Sequence, residues 1–216
     1  MTVMEITAWS LSKALQAALT GRLLQTQRAY RYRAFTAFLI VSLLRSLALA
    51  TYGSQSLEHY VAVWNWSTAP LLLTLSLAVY EVHRKVIAHC APVRFPRVIT
   101  AIMIAVAIVT CLLTMESVTW RSSVTAAYTA TRIVAGTLAI WLFCHAAFFY
   151  KIEPPVPESL MAHGYILTIY LVAEAGAYAA INVLAPYAPL VVLNVISMSV
   201  NGALYVAWLI AFWRKD

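Results

Sequence analysis

The stretch 163–182, HGYILTIYLVAEAGAYAAIN, decides how the rest of the chain is read. At about 1.5 Å of rise per residue it is long enough to cross a hydrocarbon core of about 30 Å. Yet it carries a carboxylate, Glu174, near its middle. An ionisable group at that depth costs about 2.5 kcal/mol or more unless it faces protein, water or a partner charge, so it marks a functional site by default. Tyr170, Glu174, Tyr178 and Asn182 follow at i+4 spacing and form one polar stripe. Ala173, Gly176, Ala177 and Ala180 are small enough to let a neighbouring helix approach closely.

Composition places that helix among others of its kind. Of 216 residues 62% are hydrophobic and 11% charged, against about 25% charged in soluble domains. Several apolar runs near span length make an integral membrane protein the expected class, a single all-α transmembrane domain over 1–216. The net charge of +7 sits largely in short loops between apolar runs, so it reads as positive-inside bias and not as a nucleic-acid footprint. Cys90, Cys111 and Cys144 show no pairing pattern, so no disulfide framework is implied. The N-terminus lacks the pattern of a removable signal peptide.

Seven transmembrane helices are predicted, at about 5–24, 34–52, 61–82, 98–115, 124–150, 162–185 and 190–213. The first has Lys13, Gln16 and Thr20 on one face. It reads as a span with its polar stripe turned inward, with an interfacial helix and six spans as the fallback. Pro70 is expected to kink the third run. The segments His83–Arg97 and Lys151–Ser159 read as loops, the second because of its prolines. Placing 28–33, 83–97, 151–159 and 214–216 in the cytoplasm leaves the outer linkers with only Arg121. That gives an N-out, C-in, multi-pass protein of the cytoplasmic (plasma) membrane.

Helical rise puts Arg45, Arg132, Glu174 and, if its segment spans, Lys13 near one level, slightly outside the midplane. The last run adds Asn194, Ser197, Asn201, Tyr205 and Trp208 at spacings of three and four, and the fifth adds Tyr128 beside Arg132. The expected constellation is an interior polar pocket of Arg45, Arg132, Glu174, Tyr128, Tyr170, Tyr178, Asn194, Ser197 and Asn201. Cations outnumber the single acid in it, which an anionic ligand would balance. A fixed interhelical Arg–Glu bridge without chemistry and a proton relay through Glu174 are the competing readings.

Four histidines, His83, His89, His145 and His163, gather at inner helix ends. His145 and His163 flank one loop and are weak metal or haem ligands at best, since their spacing matches no ligand motif. Glu81 beside Arg84 and Lys85 reads as a solvated ion pair. No nucleophile has an adjacent base and no phosphate-binding loop is present, so the chain is expected to be non-enzymatic. A retinal Schiff base is excluded, because Lys13, Lys85, Lys151 and Lys215 are the lysines and none lies in the last run. A three-plus-one-plus-three sugar transporter shares the helix count, but the Pro-Gln signature is absent and no family is assigned. The expected function is binding of a small anionic or amphiphilic ligand for sensing or docking. Transport, and a structural role beside other membrane subunits, stand as alternatives.

Overall fold

The computed structural model describes residues 2–52, 55–89, 131, 133–144, 156–184 and 190–213, with side chains except at 178, 179, 181–184 and 190. Arg132, Tyr128 and His145, the side chains of Tyr178 and Asn182, and the predicted 98–115 span therefore lie outside the described residues. Among the described residues the chain is all helix: α1 Val3–Gln25, α2 Arg28–Arg31, α3 Arg33–Thr51, α4 Leu57–His89, α5 Ile133–Cys144, α6 Glu158–Leu184 and α7 Leu190–Trp213. Four of them, α3, α4, α6 and α7, contain stretches long and apolar enough to cross a membrane.

Five long helices close a ring. α1 packs on α7 and α3, α3 on α4, α4 on α6, and α6 back on α7. Contacts at their ends fix the directions. Glu81 of α4 meets residues 33–35 of α3, and Trp208 of α7 meets His163 of α6. Consecutive ring members thus run antiparallel, while α1 and α7 run parallel and pair start to start through Glu5 and Asn194. One end of the ring, the basic end, carries Arg28, Arg31, Arg33, Arg84 and Lys85; at the opposite end, residues 2–12, 46–63, 175–184 and 190–201 contain no lysine or arginine.

The distribution of polarity is inverted relative to a soluble bundle. Leu44, Leu73, Val172 and Ile196 are 55–60% exposed on the outside of the ring. Gln16 and His163 are fully buried inside it. Continuous apolar exposure of this kind is what lipid contact requires and water penalises. α1 shows the same inversion: Leu11 and Leu24 face out, and Ser12, Gln16 and Thr20 face in. Gln16 is satisfied across the interface, its amide donating to the Leu39 carbonyl at 3.1 Å while its carbonyl accepts from Lys13 at 3.0 Å. α1 is thus a ring member packed along its polar face and not a helix lying apart from the bundle.

Two loops start later or end earlier than expected. α4 continues through His83 to His89, and α6 begins at Glu158, directly after Pro157, whose carbonyl accepts from Leu160 and Met161. The prolines end where the helix starts, which a proline at a helix N-terminus tolerates. Pro70 lies inside α4, which is continuous through it.

Glu81 forms the expected, partly exposed ion pair with Lys85 and also does something more. Its carboxylate accepts the backbone N–H groups of Arg33, Ala34 and Phe35 at 3.0, 3.1 and 3.3 Å, capping the free donors at the start of α3. Lys85 bonds the same carboxylate at 3.0 Å and also reaches the Arg31 carbonyl and the Tyr32 ring. At the same end Arg28 donates to the Phe212 carbonyl at 2.7 Å and Arg22 stacks on Trp213. These contacts tie the basic ends of α2, α3, α4 and α7 together.

Candidate functional site

The ring is filled at one end and hollow at the other. At the basic end Tyr32, Phe35, Phe38, His163, Trp208 and Phe212 are all at most 1% exposed and interlock ring against ring, Phe35 lying 4.6 Å from His163 and 4.8 Å from Trp208. The indole N–H of Trp208 donates to His163 Nδ1 at 3.0 Å. An indole can only donate, so Nδ1 accepts and the imidazole proton belongs on Nε2. Toward the opposite end the aromatic filling stops and a cavity of about 740 Å³ opens, lined from all five ring helices. Its size falls within the roughly 300–1,000 Å³ of small-molecule sites.

Each helix supplies one part of the wall. α1 presents Glu5, Trp9, Ser12 and Lys13, one face at helical spacing. α3 presents Ser42, Arg45 and Ser46, and α4 presents Tyr60 and Trp64. α6 contributes Tyr170 and Glu174; α7 contributes Asn194, Ser197, Asn201 and Tyr205. Ile6, Leu49, Leu71 and Met198 make the apolar part of the surface. Of the expected pocket residues, Arg45, Glu174, Tyr170, Asn194, Ser197 and Asn201 thus meet around one space. Trp208 continues the same α7 face downward into the aromatic cluster.

The charged groups are held in unlike ways. Glu174 accepts from Asn201 Nδ2 at 2.7 Å, across the α6–α7 interface, and from the Tyr170 hydroxyl one turn below. Arg45 is 8% exposed, its guanidinium lies 3.9 Å from the centre of the Trp64 ring, and its Nη2 has no hydrogen-bond partner among the described residues. Such stacking satisfies the face of the cation and leaves its edge donors free. Glu5 is committed to structure: it accepts from Thr2 N at 2.8 Å in a capping box and from Asn194 at 3.2 Å.

Among the described residues the lining shows no surplus of cations, while Arg132, one of the cations expected there, lies outside them. Lys13 and Arg45 face Glu5 and Glu174, so the charged lining among the described residues is balanced. The expected Arg45–Glu174 bridge is not made either, since Lys85–Glu81 is the ion pair within 4.0 Å that the described residues form. Glu5, Trp9, Ser12, Ser46, Tyr60 and Trp64 are polar or aromatic lining residues that sequence reasoning missed. The i, i+4, i+7, i+8 placement of Glu5, Trp9, Ser12 and Lys13 was a readable signal; the Trp64–Arg45 stack, joining two helices, had none.

The small face of α6 is only partly covered by the described residues. Gly176 meets nothing within 4 Å among the described residues, while Ala175 is the residue that faces Gly136 of α5, at 3.9 Å. A close helix approach occurs at Gly202 of α7, whose position faces Ser12 and Leu15 of α1. Near the basic end, Trp141 of α5 is buried edge-on against His83 at 5.3 Å. Among the described residues no group of three or more His, Cys, Asp or Glu gathers, and His163 has one ring nitrogen engaged by Trp208.

No family model, curated protein or solved structure matches this chain. What the protein does is therefore argued from the cavity itself.

Proposed function

We propose that this is a non-catalytic membrane protein of seven spans that binds a small amphiphilic molecule in an intramembrane pocket, in a sensing or docking role. The observation that carries the reading is Arg45: a buried guanidinium on the wall of a 740 Å³ cavity, with an edge donor lacking any partner among the described residues. A buried charge left short of partners is costly, and a bound anionic group relieves the cost. The apolar residues beside it suit a hydrocarbon portion. A purely structural subunit would gain more by filling the space and pairing its charges.

Topology supports seven spans. α4 ends and α6 begins at the basic end, which suits an even number of crossings between them, as the apolar runs expected at 98–115 and 124–150 would supply. Helix α5, with Gly136 against Ala175 and Trp141 against His83, runs in the direction that the second of these requires. The concentration of arginine and lysine at one end supports a cytoplasmic basic end, N-terminus outside, in a plasma membrane. Transport is the second reading; the aromatic filling of the basic end favours binding over it, because a transport route would have to pass there.

Native mass spectrometry of the purified protein tests the reading. A small-molecule adduct that Arg45→Gln abolishes is expected. An adduct-free spectrum, together with co-purifying protein subunits, would favour the structural alternative.

A further inference from the structure

Resting on the reading of the cavity as a binding pocket, we infer that its ligand is a zwitterionic amphiphile held at both poles, the anionic group by Arg45 and Lys13 and a primary ammonium by Glu174. Apart from Glu5, which is engaged by Thr2 and Asn194, the cavity has two charged walls. The cationic wall, on α1 and α3, offers the unpartnered Nη2 of Arg45 and the ammonium of Lys13, which spends one contact on Gln16 at 3.0 Å. The anionic wall, on α6 and α7, offers Glu174, fixed by Asn201 at 2.7 Å. Both walls line the same space, and no ion pair within 4.0 Å joins them.

Opposite charges within one low-dielectric enclosure gain most by pairing directly. Side chains that stop short of each other across a cavity leave that gain to whatever occupies it. A purely anionic guest would satisfy Arg45 and Lys13 but leave Glu174 facing a like charge. A purely cationic guest would do the reverse. A zwitterion completes an alternating series, guanidinium to anion and ammonium to carboxylate, with no net charge buried.

The polar neighbours narrow the cationic pole. Because Asn201 donates its amide N–H to Glu174, its side-chain oxygen stays an acceptor, and the hydroxyls of Ser197 and Tyr205 line the same wall. A carboxylate beside further oxygens able to accept suits a group with several N–H donors, as a primary ammonium has. A quaternary ammonium has no N–H to give and would leave Glu174 and these oxygens without a donor. Ile6, Leu49, Leu71 and Met198 leave apolar surface for a tail. Two sources share this chemistry, a phospholipid headgroup with its chains and a water-soluble zwitterion.

The test uses the full chain in detergent and three probes: dihexanoylphosphatidylethanolamine, dihexanoylphosphatidylglycerol and free phosphoethanolamine, with affinities from calorimetry. The zwitterionic lipid is expected to bind at least tenfold more tightly than the anionic one. Arg45→Gln should weaken both, and Glu174→Gln, which keeps an acceptor for Asn201, should remove the preference between them. Equal binding of the two lipids by the wild-type protein overturns the inference while leaving the pocket standing, and that ratio decides the matter even if Glu174→Gln fails to fold. A preference that survives in folded Glu174→Gln overturns it as well. Binding of none of the three, with no adduct in the native mass spectrum, overturns the pocket reading itself. Phosphoethanolamine binding as tightly as the lipid supports the inference and places the source in water; weaker binding of it than of the lipid places the source in the bilayer.

Discussion

Asn201 donates a 2.7 Å hydrogen bond to Glu174 from the facing helix, and among the described residues this neutral amide, not an ion-paired cation, holds the carboxylate. A structural charge inside a bundle is usually neutralised by a paired ion. Here, among the described residues, the carboxylate lines the cavity without an ion pair, which is the arrangement the proposed binding role calls for.

If Glu174 binds ligand as proposed, the two partners of this bond should separate into stability and function. Asn201→Leu removes a hydrogen bond to a charged acceptor and should destabilise the detergent-solubilised protein by about 2 kcal/mol, read as a lower midpoint of thermal unfolding. Glu174→Gln retains an oxygen for the same donor and should cost less than about 1 kcal/mol. Equal losses in the two variants would mean that Glu174 is held by its charge after all.

Arg45 and Trp64 should separate in the opposite sense. Trp64→Leu strips the guanidinium of its aromatic face, a desolvated cation–π contact worth about 2 kcal/mol, and leaves a buried cation with less to hold it. Arg45→Met removes the charge along with its unpartnered donor, so stability should hold or rise while ligand binding is lost. Unfolding curves beside adduct occupancy in native mass spectra distinguish the two. A loss of stability in Arg45→Met as large as in Trp64→Leu would assign Arg45 to architecture.

Much of this site was legible because helical depth and face are arithmetic in a membrane bundle. Arg45 and Glu174 lie at matching heights, and Asn194, Ser197, Asn201 and Tyr205 recur on one face; the bundle needs only to turn those faces inward. What sequence could not supply is which inward residues touch. Whether Glu174 meets Arg45 or Asn201 depends on the rotation of α3 and α7 about their axes, which tertiary packing sets. Glu81 was legible only in part for the same reason: its ion pair with Lys85 follows from i, i+4 spacing, but only the antiparallel approach of α3 brings three backbone N–H groups to it. Glu5 escaped notice because it sits at the end of a run, where an acid is ordinary.

That cap should be measurable on its own. Glu81→Ala leaves the first turn of α3 without its acceptor and Lys85 without its partner, a loss of about 1–2 kcal/mol by comparison with ordinary helix caps. The local signature is faster amide hydrogen exchange at Arg33, Ala34 and Phe35, with the Asn201–Glu174 end of the bundle unaffected. A double-mutant cycle with Lys85→Met isolates the ion pair, 27% and 16% exposed on its two sides, which should contribute less than the cap. If exchange at 33–35 is unchanged in Glu81→Ala, water or another group caps α3.

The place of α1 in the ring is the point on which the whole pocket depends, since α1 brings both Lys13 and Glu5 to it. Ser12 Cβ lies 4.0 Å from where a Cβ would stand on Gly202. That separation is within the roughly 3.5–4.5 Å that a disulfide spans. In a background with Cys90, Cys111 and Cys144 replaced by serine, the pair Ser12→Cys and Gly202→Cys should therefore cross-link within one chain under mild oxidation. Moving the first cysteine to Leu11, which is 62% exposed on the outer face of α1, should abolish the link, since neighbouring helical positions point about 100° apart. Equal cross-linking from both positions would mean that α1 rolls freely against α7; cross-linking from Leu11 alone would turn the polar face of α1 away from the bundle and take the cationic wall with it.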